Sequence, residues 1–136
     1  MYMPYPFQIF QAADMITVVF EYVHAMRAIY TNGTPHPPGH IDWWMGDSRG
    51  RWEGNTLVVD VVDFGEETWF DRAGNYHSDA LHVVERYTPI SPYHLRYDVT
   101  IEDPELFTEP WKVAVLLNRS DDYLVYEYAC HECNQA

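Results

Sequence analysis

Turn signals recur along this chain at short intervals, and the runs between them are β-branched and aromatic. That pattern belongs to an antiparallel meander, sandwich or barrel. The clearest unit is a hairpin made of Ser48–Trp52, a turn at Gly54-Asn55, and Thr56–Val62. Its second strand alternates, with Leu57, Val59 and Val61 on one side and Val58, Asp60 and Val62 on the other. Further strands are expected at Phe7–Phe10, Met15–Glu21, Ala80–Tyr87, His94–Glu102, Trp111–Leu117 and Tyr123–Tyr128. The stretch Tyr22–Tyr30 either prolongs the second strand as one long bent element or forms a strand of its own. Helix is scarce, with about one turn expected at Glu105–Phe107.

Three segments interrupt the strands. Asn32-Gly33 suits a tight turn, and Pro35-His36-Pro37-Pro38-Gly39 must be loop, because prolines cannot sit inside a hydrogen-bonded ladder. Gly65–Ser78 is polar with aromatics and reads as a long rim segment, while Gly46–Gly50 reads as a turn, since no helix follows it. The expected fold is therefore all-β: one domain over residues 1–136, an antiparallel β-barrel of about eight strands, with a two-sheet β-sandwich as the alternative. A chain of this length buries a real core without staples.

The net charge of −13 weighs against nucleic acid and against anionic membrane surfaces as partners. It leaves neutral or cationic small molecules, neutral sugars and metal cations, or a plain role in solubility. No apolar run reaches the ~18 residues of a membrane span. The opening Met1–Pro6 lacks the basic and apolar regions of a signal peptide. The two cysteines, Cys130 and Cys133, lie near the chain end after a strand-like run. They read as a tail disulfide or as two idle thiols, because a redox pair normally opens a helix.

Seven histidines raise the question of metal chemistry. His24, His77 and His82, contributed by different strands, are the candidate ligand set for zinc, copper or iron, all of which accept imidazole. No tight His-Glu-x-x-His signature supports it. His36, His40, His94 and His131 read as solvated. Among the carboxylates, Glu21, Asp71, Glu85 and Glu127 fall in apolar company. One held inside a barrel would have a raised pKa and serve as general acid or base. The enzyme reading thus uses His24, His77 and His82 with Glu85 or Asp71, in a lyase, isomerase or hydrolase reaction. Against it, Glu85 and Arg86 also suit strand-to-strand ion pairs. The binding reading uses Trp43, Trp44, Trp69 and Tyr97 as apolar walls, with Arg86 as a polar contact, for an aromatic compound or a saccharide. Adjacent Trp43 and Trp44 face opposite ways if extended, so one should be exposed. A homodimer through an edge strand or the Trp-rich rim would bury the same aromatics. There is no nucleophile elbow, phosphate loop or dinucleotide fingerprint.

The stretch Met45–Asp60, with Gly50-Arg51-Trp52-Glu53-Gly54-Asn55-Thr56-Leu57 at its centre, resembles a group of bacterial proteins plentiful in soil and environmental genomes, as do Thr68–Asp71, His77–Arg86 and Thr100–Pro104. The resemblance covers nearly the whole chain but implies no activity, since none is established for that group. It implies relatives that are longer at the N-terminus and frequently exported, hence a periplasmic or secreted location where the gene carries a signal and a cytoplasmic one otherwise. It also implies that a cysteine matching Cys130 pairs in longer relatives with an upstream partner that this chain lacks; Cys133 departs from the pattern. The Gly-x-Trp-x-Gly-x-Thr-Leu hairpin is similar to those of calycin-type barrels such as lipocalins, a likeness of fold that carries no function.

Overall fold

The alternation in Thr56–Val62 sets the inside and outside of the whole sheet. In the computed structural model, which describes residues 5–39, 41–70 and 73–129, eight strands form one sheet in sequence order: β1 (Phe7–Gln11), β2 (Met15–Phe20), β3 (Met26–Tyr30), β4 (Asp47–Glu53), β5 (Thr56–Val62), β6 (His82–Ser91), β7 (His94–Glu102) and β8 (Trp111–Asn118). The sheet curls into a half-barrel. Leu57, Val59 and Val61 of β5 face its hollow, where they meet Ile16, Val18 and Phe20 of β2, Ile29 of β3, Val83 of β6 and Val99 and Ile101 of β7. Each such side chain contributes about 1.5–3 kcal/mol on leaving water, so this inner layer holds the fold together.

The β4–β5 hairpin pairs Glu53 with Thr56 across a two-residue turn, and Gly54 supplies the positive φ that such a turn needs. The long expected stretch 22–30 is broken. Tyr22–His24 form a single 3-10 turn in which Val23 and His24 both have positive φ, and the Phe20 amide donates to the Ala25 carbonyl to close β2 against β3. The break moves Arg27 onto the inner face, opposite Val18.

Four expectations need correcting. The sheet is mixed rather than wholly antiparallel, because β3 and β4 run parallel, joined at Tyr30 and Arg49. Parallel neighbours need a long return connection, and the proline-bearing segment after Tyr30 supplies it. Gly46–Gly50 is not a turn: the turn spans Trp43–Gly46 and β4 begins at Asp47. Tyr123–Tyr128 forms no strand. Instead Glu21 Oε2 accepts from the Tyr123 hydroxyl at 2.6 Å and from the Tyr126 amide at 3.1 Å, which straps this segment to the end of β2. Glu105–Phe107 lies in a hydrogen-bonded turn, with the Leu106 and Phe107 amides donating to the Asp103 carbonyl, and does not extend into a helix.

Candidate functional site

Three polar or aromatic assemblies stand out, and the curvature of the sheet places each in a different region. The first lies within the hollow. Glu85 shares a face with Val83 and Tyr87 on β6, so it points inward and is completely buried. Arg27 reaches it from β3 with two parallel bonds, Nη1 to Oε1 at 3.0 Å and Nη2 to Oε2 at 2.6 Å. The Tyr97 hydroxyl donates to Glu85 Oε1 at 2.5 Å, and Arg27 Nε donates to Ser48 Oγ at 2.9 Å. Tyr87 stacks on Tyr97 with centroids 4.7 Å apart. Among the described residues no buried side-chain nitrogen or oxygen lacks a partner.

Burial by itself would raise the Glu85 carboxyl, but the Arg27 guanidinium outweighs it and holds the group well below the usual carboxylate range. The expectation of a raised carboxylate inside the barrel is therefore corrected: the one that lies inside is locked as an anion. Burial and the Glu85 charge push the Tyr97 and Tyr87 hydroxyls upward. Glu85 is thus a poor general acid, and core side chains and this ion pair occupy the hollow among the described residues. Replacing Tyr97 with phenylalanine removes one donor from a buried carboxylate. We expect a loss of about 1–3 kcal/mol in urea unfolding with the fold retained, readable from unchanged far-ultraviolet circular dichroism.

The second assembly runs across the outer face of β4–β7. Residues directly opposite in register line up there: Arg49 with Asp60, and His82 with Glu102. His82 Nε2 lies 2.6 Å from Asp60 Oδ1, and its Nδ1 lies 3.3 Å from Glu102 Oε2. From the loop, His36 places Nε2 3.1 Å from Asp60 Oδ2 and Nδ1 2.6 Å from Asp47 Oδ2. Arg49 grips the same Asp47 through Nε at 2.7 Å and Nη2 at 2.9 Å, and its guanidinium sits 4.7 Å from the Tyr30 ring centre. Burial would lower the His82 imidazole, but Asp60 and Glu102 outweigh it and raise the ring above its ordinary value. Burial would likewise raise Asp60, and the two imidazoles hold it down. His36, expected to be solvated, is instead half-buried between two carboxylates.

The third assembly is an aromatic cleft of about 400 Å³ beside the rim segment, lined by Phe70, Asn75, Tyr76, Leu106, Phe107 and Trp111. Phe70, Phe107 and Trp111 form a triangle of rings with centroids 6.0–6.3 Å apart. Behind Phe70 lies His77, buried edge-on between Phe64 and Phe70. The His77 Nδ1 proton points at the Ser78 carbonyl at 2.9 Å, and Nε2 meets Thr68 Oγ1 at 2.5 Å. Asp103 ties this rim to the end of β7, accepting from the Ser78 amide at 2.8 Å and the Ser78 hydroxyl at 2.7 Å.

The residues singled out from the sequence are dispersed among these regions. His24 is exposed in the 3-10 turn, with its ring against Tyr128. His77 is buried behind the cleft, and His82 sits on the outer face. Glu85 is three positions from His82 on an unbroken strand and therefore faces the other way. The proposed ligand set His24, His77 and His82 thus has three separate surroundings. No group of three or more His, Cys, Asp or Glu side chains among the described residues is arranged to hold a metal ion. Asp71, His40, His131 and both cysteines lie outside the described residues. Trp44 is 72% exposed and Trp43 46%, and neither lines the cleft. Trp69 is exposed beside the cleft, its backbone bridged to that of Tyr76. Tyr97 belongs to the filled interior, and Arg86 pairs with Glu53 at 2.9 Å on the outer face. Sequence reasoning missed Arg27, His36, Asp60 and the Phe107–Trp111 wall. The alternation on β5 already marks Asp60 as an outward carboxylate, but its partners come from distant segments.

Comparison with protein-family models, curated proteins and solved structures finds no match for this chain. The reading of function rests on the geometry alone.

Proposed function

We propose that this protein is a small-molecule binding domain of calycin-like build, and that its ligand is a planar aromatic compound or a saccharide held in the cleft beside Phe70, Tyr76, Phe107 and Trp111. The observation that carries this reading is the cleft itself. Its volume of about 400 Å³ falls within the ~300–1,000 Å³ range of small-molecule sites, and four aromatic rings surround one amide, Asn75. Rings supply flat apolar area for stacking, and an amide side chain orients a ligand through its NH2 donors and its carbonyl acceptor. The ligand sits at the rim, since core side chains and the Arg27–Glu85 pair occupy the hollow. A net charge of −13 disfavours anionic ligands.

Titration calorimetry and tryptophan fluorescence with a panel of neutral aromatics, cationic aromatics and oligosaccharides test this reading. Trp111→Ala and Phe107→Ala are expected to weaken binding at least about tenfold, whereas Trp44→Ala leaves it unchanged. A panel that yields no binder, or a binder indifferent to Trp111→Ala, would overturn it.

A further inference from the structure

Each imidazole of the outer-face array has a carboxylate oxygen at both ring nitrogens. His36 stands between Asp47 and Asp60, and His82 between Asp60 and Glu102. An ionised carboxylate only accepts hydrogen bonds, and a neutral imidazole has a single N–H to donate. A neutral ring in either place would therefore set a nitrogen lone pair against a carboxylate oxygen. Only the doubly protonated ring satisfies both neighbours.

We propose that His36 and His82 form a proton-dependent clasp, which pins the proline-bearing segment 31–39 across β4 and β5 while both rings are imidazolium and releases it when they lose a proton. The charges support this. With both rings protonated, Asp47, Asp60 and Glu102 face three cations: Arg49, His36 and His82. With both neutral, two carboxylates lose their counter-charge in a chain already carrying −13. The groups facing the array are Asp47 and Arg49 from β4, Asp60 from β5 and Glu102 from β7. Beyond them on the same face, Arg51 and Arg86 share Glu53, and Arg96 pairs with Asp98.

Among the described residues the segment has few other anchors. At its start the Thr31 amide donates to the Asp14 carbonyl at 2.8 Å, and within it Thr34 folds back onto Asn32 Oδ1 while accepting from Arg49 Nη1 at 2.7 Å. Three prolines in the segment have no amide to donate to the sheet. His36 is thus its main link to β5.

The sign follows from linkage. A His82 raised in the folded state contributes stability that is complete below about pH 6.5, the ordinary histidine value, and lost as pH rises through its higher folded value. Asp60, held low, contributes stability present above about pH 4 and lost as pH falls through its lower folded value. The His82–Asp60 contact of the clasp is thus held between these limits.

Two readouts on the unaltered protein test this. Ring ¹⁵N shifts at pH 6 should report both nitrogens of His36 and His82 as protonated. Amide exchange in 31–39, corrected for intrinsic rate, should lose at least about tenfold protection between pH 6 and pH 9, while β5–β7 stay protected. Asp60→Asn, or His82→Gln if that variant unfolds, should reduce the protection of 31–39 at pH 6 and flatten its pH dependence. A single-tautomer signature in either ring at pH 6, equal protection of 31–39 at both pH values, or a uniform loss across the sheet would overturn the clasp.

Discussion

Replacing Arg27 with methionine is expected to destabilise the protein by about 3–5 kcal/mol, the range for breaking a buried ion pair by removing one partner. The physical reason is what stays behind. Glu85 is completely enclosed, and removing the guanidinium takes away the two-pronged hydrogen bond and the counter-charge that Arg27 supplies to it. Taking up a proton relieves part of that cost, so the variant should also lose the depressed titration of Glu85 and become less sensitive to acid. The double replacement Arg27→Met with Glu85→Leu removes both charges from the same apolar layer. It is expected to recover most of the loss, because well-packed apolar residues can substitute for a buried pair at little cost. Urea unfolding of the two single variants and the double variant measures the coupling directly. Single-variant losses below about 1 kcal/mol would mean that water reaches Glu85.

Gly46→Ala is expected to cost about 2–5 kcal/mol, from two sources. Gly46 has φ +70, where a side chain carries strain of about 1–2 kcal/mol. An added Cβ would also lie 2.7 Å from Val61 Cγ1 and 2.8 Å from the Val62 carbonyl oxygen. The second of these is backbone in a paired strand and has little freedom to move, so overpacking adds about 1–3 kcal/mol. Gly54→Ala is the control. It has φ +63 but nothing within 4 Å of the added atom, so only the conformational cost should appear. Thermal or urea unfolding of the two variants separates strain from crowding; equal losses would discard the crowding argument.

Much of the sheet was legible because each strand carries its own period-2 signal. His94–Glu102 and Thr56–Val62 have the bounds read from the sequence, and their inward residues Val59, Val61, Tyr97 and Val99 are buried, with Val58 on the other face of β5 buried as well. Where that signal is local but the structure is not, the reading failed. Tyr123–Tyr128 looks like a strand from its residues, yet its hydrogen bonding goes to Glu21, about a hundred residues away in sequence. Tyr22–Tyr30 looked continuous, and the 3-10 turn inside it changed the parity of everything after it. Arg27 therefore came to lie opposite Glu85, which no pattern within β3 announces.

The sites were less legible than the fold for the same reason. Residue types named histidines, carboxylates and aromatics as the material for chemistry, but not which of them meet. His82 and Glu85 are neighbours in sequence and end on opposite faces of β6; His36 and His82 are far apart and share one carboxylate.

The sequence by itself determined that this is an acidic all-β protein, where the β4–β5 hairpin turns, and which face of strands such as β5 and β7 meets the core, because those properties depend on residues two to four positions apart. Only the tertiary structure decided that β3 and β4 run parallel, that an ion pair lies buried in the hollow, that two imidazoles bridge three carboxylates outside it, and that the aromatic cleft opens at the rim. Each of these depends on strand register and sheet curvature, which bring together residues that no local pattern relates.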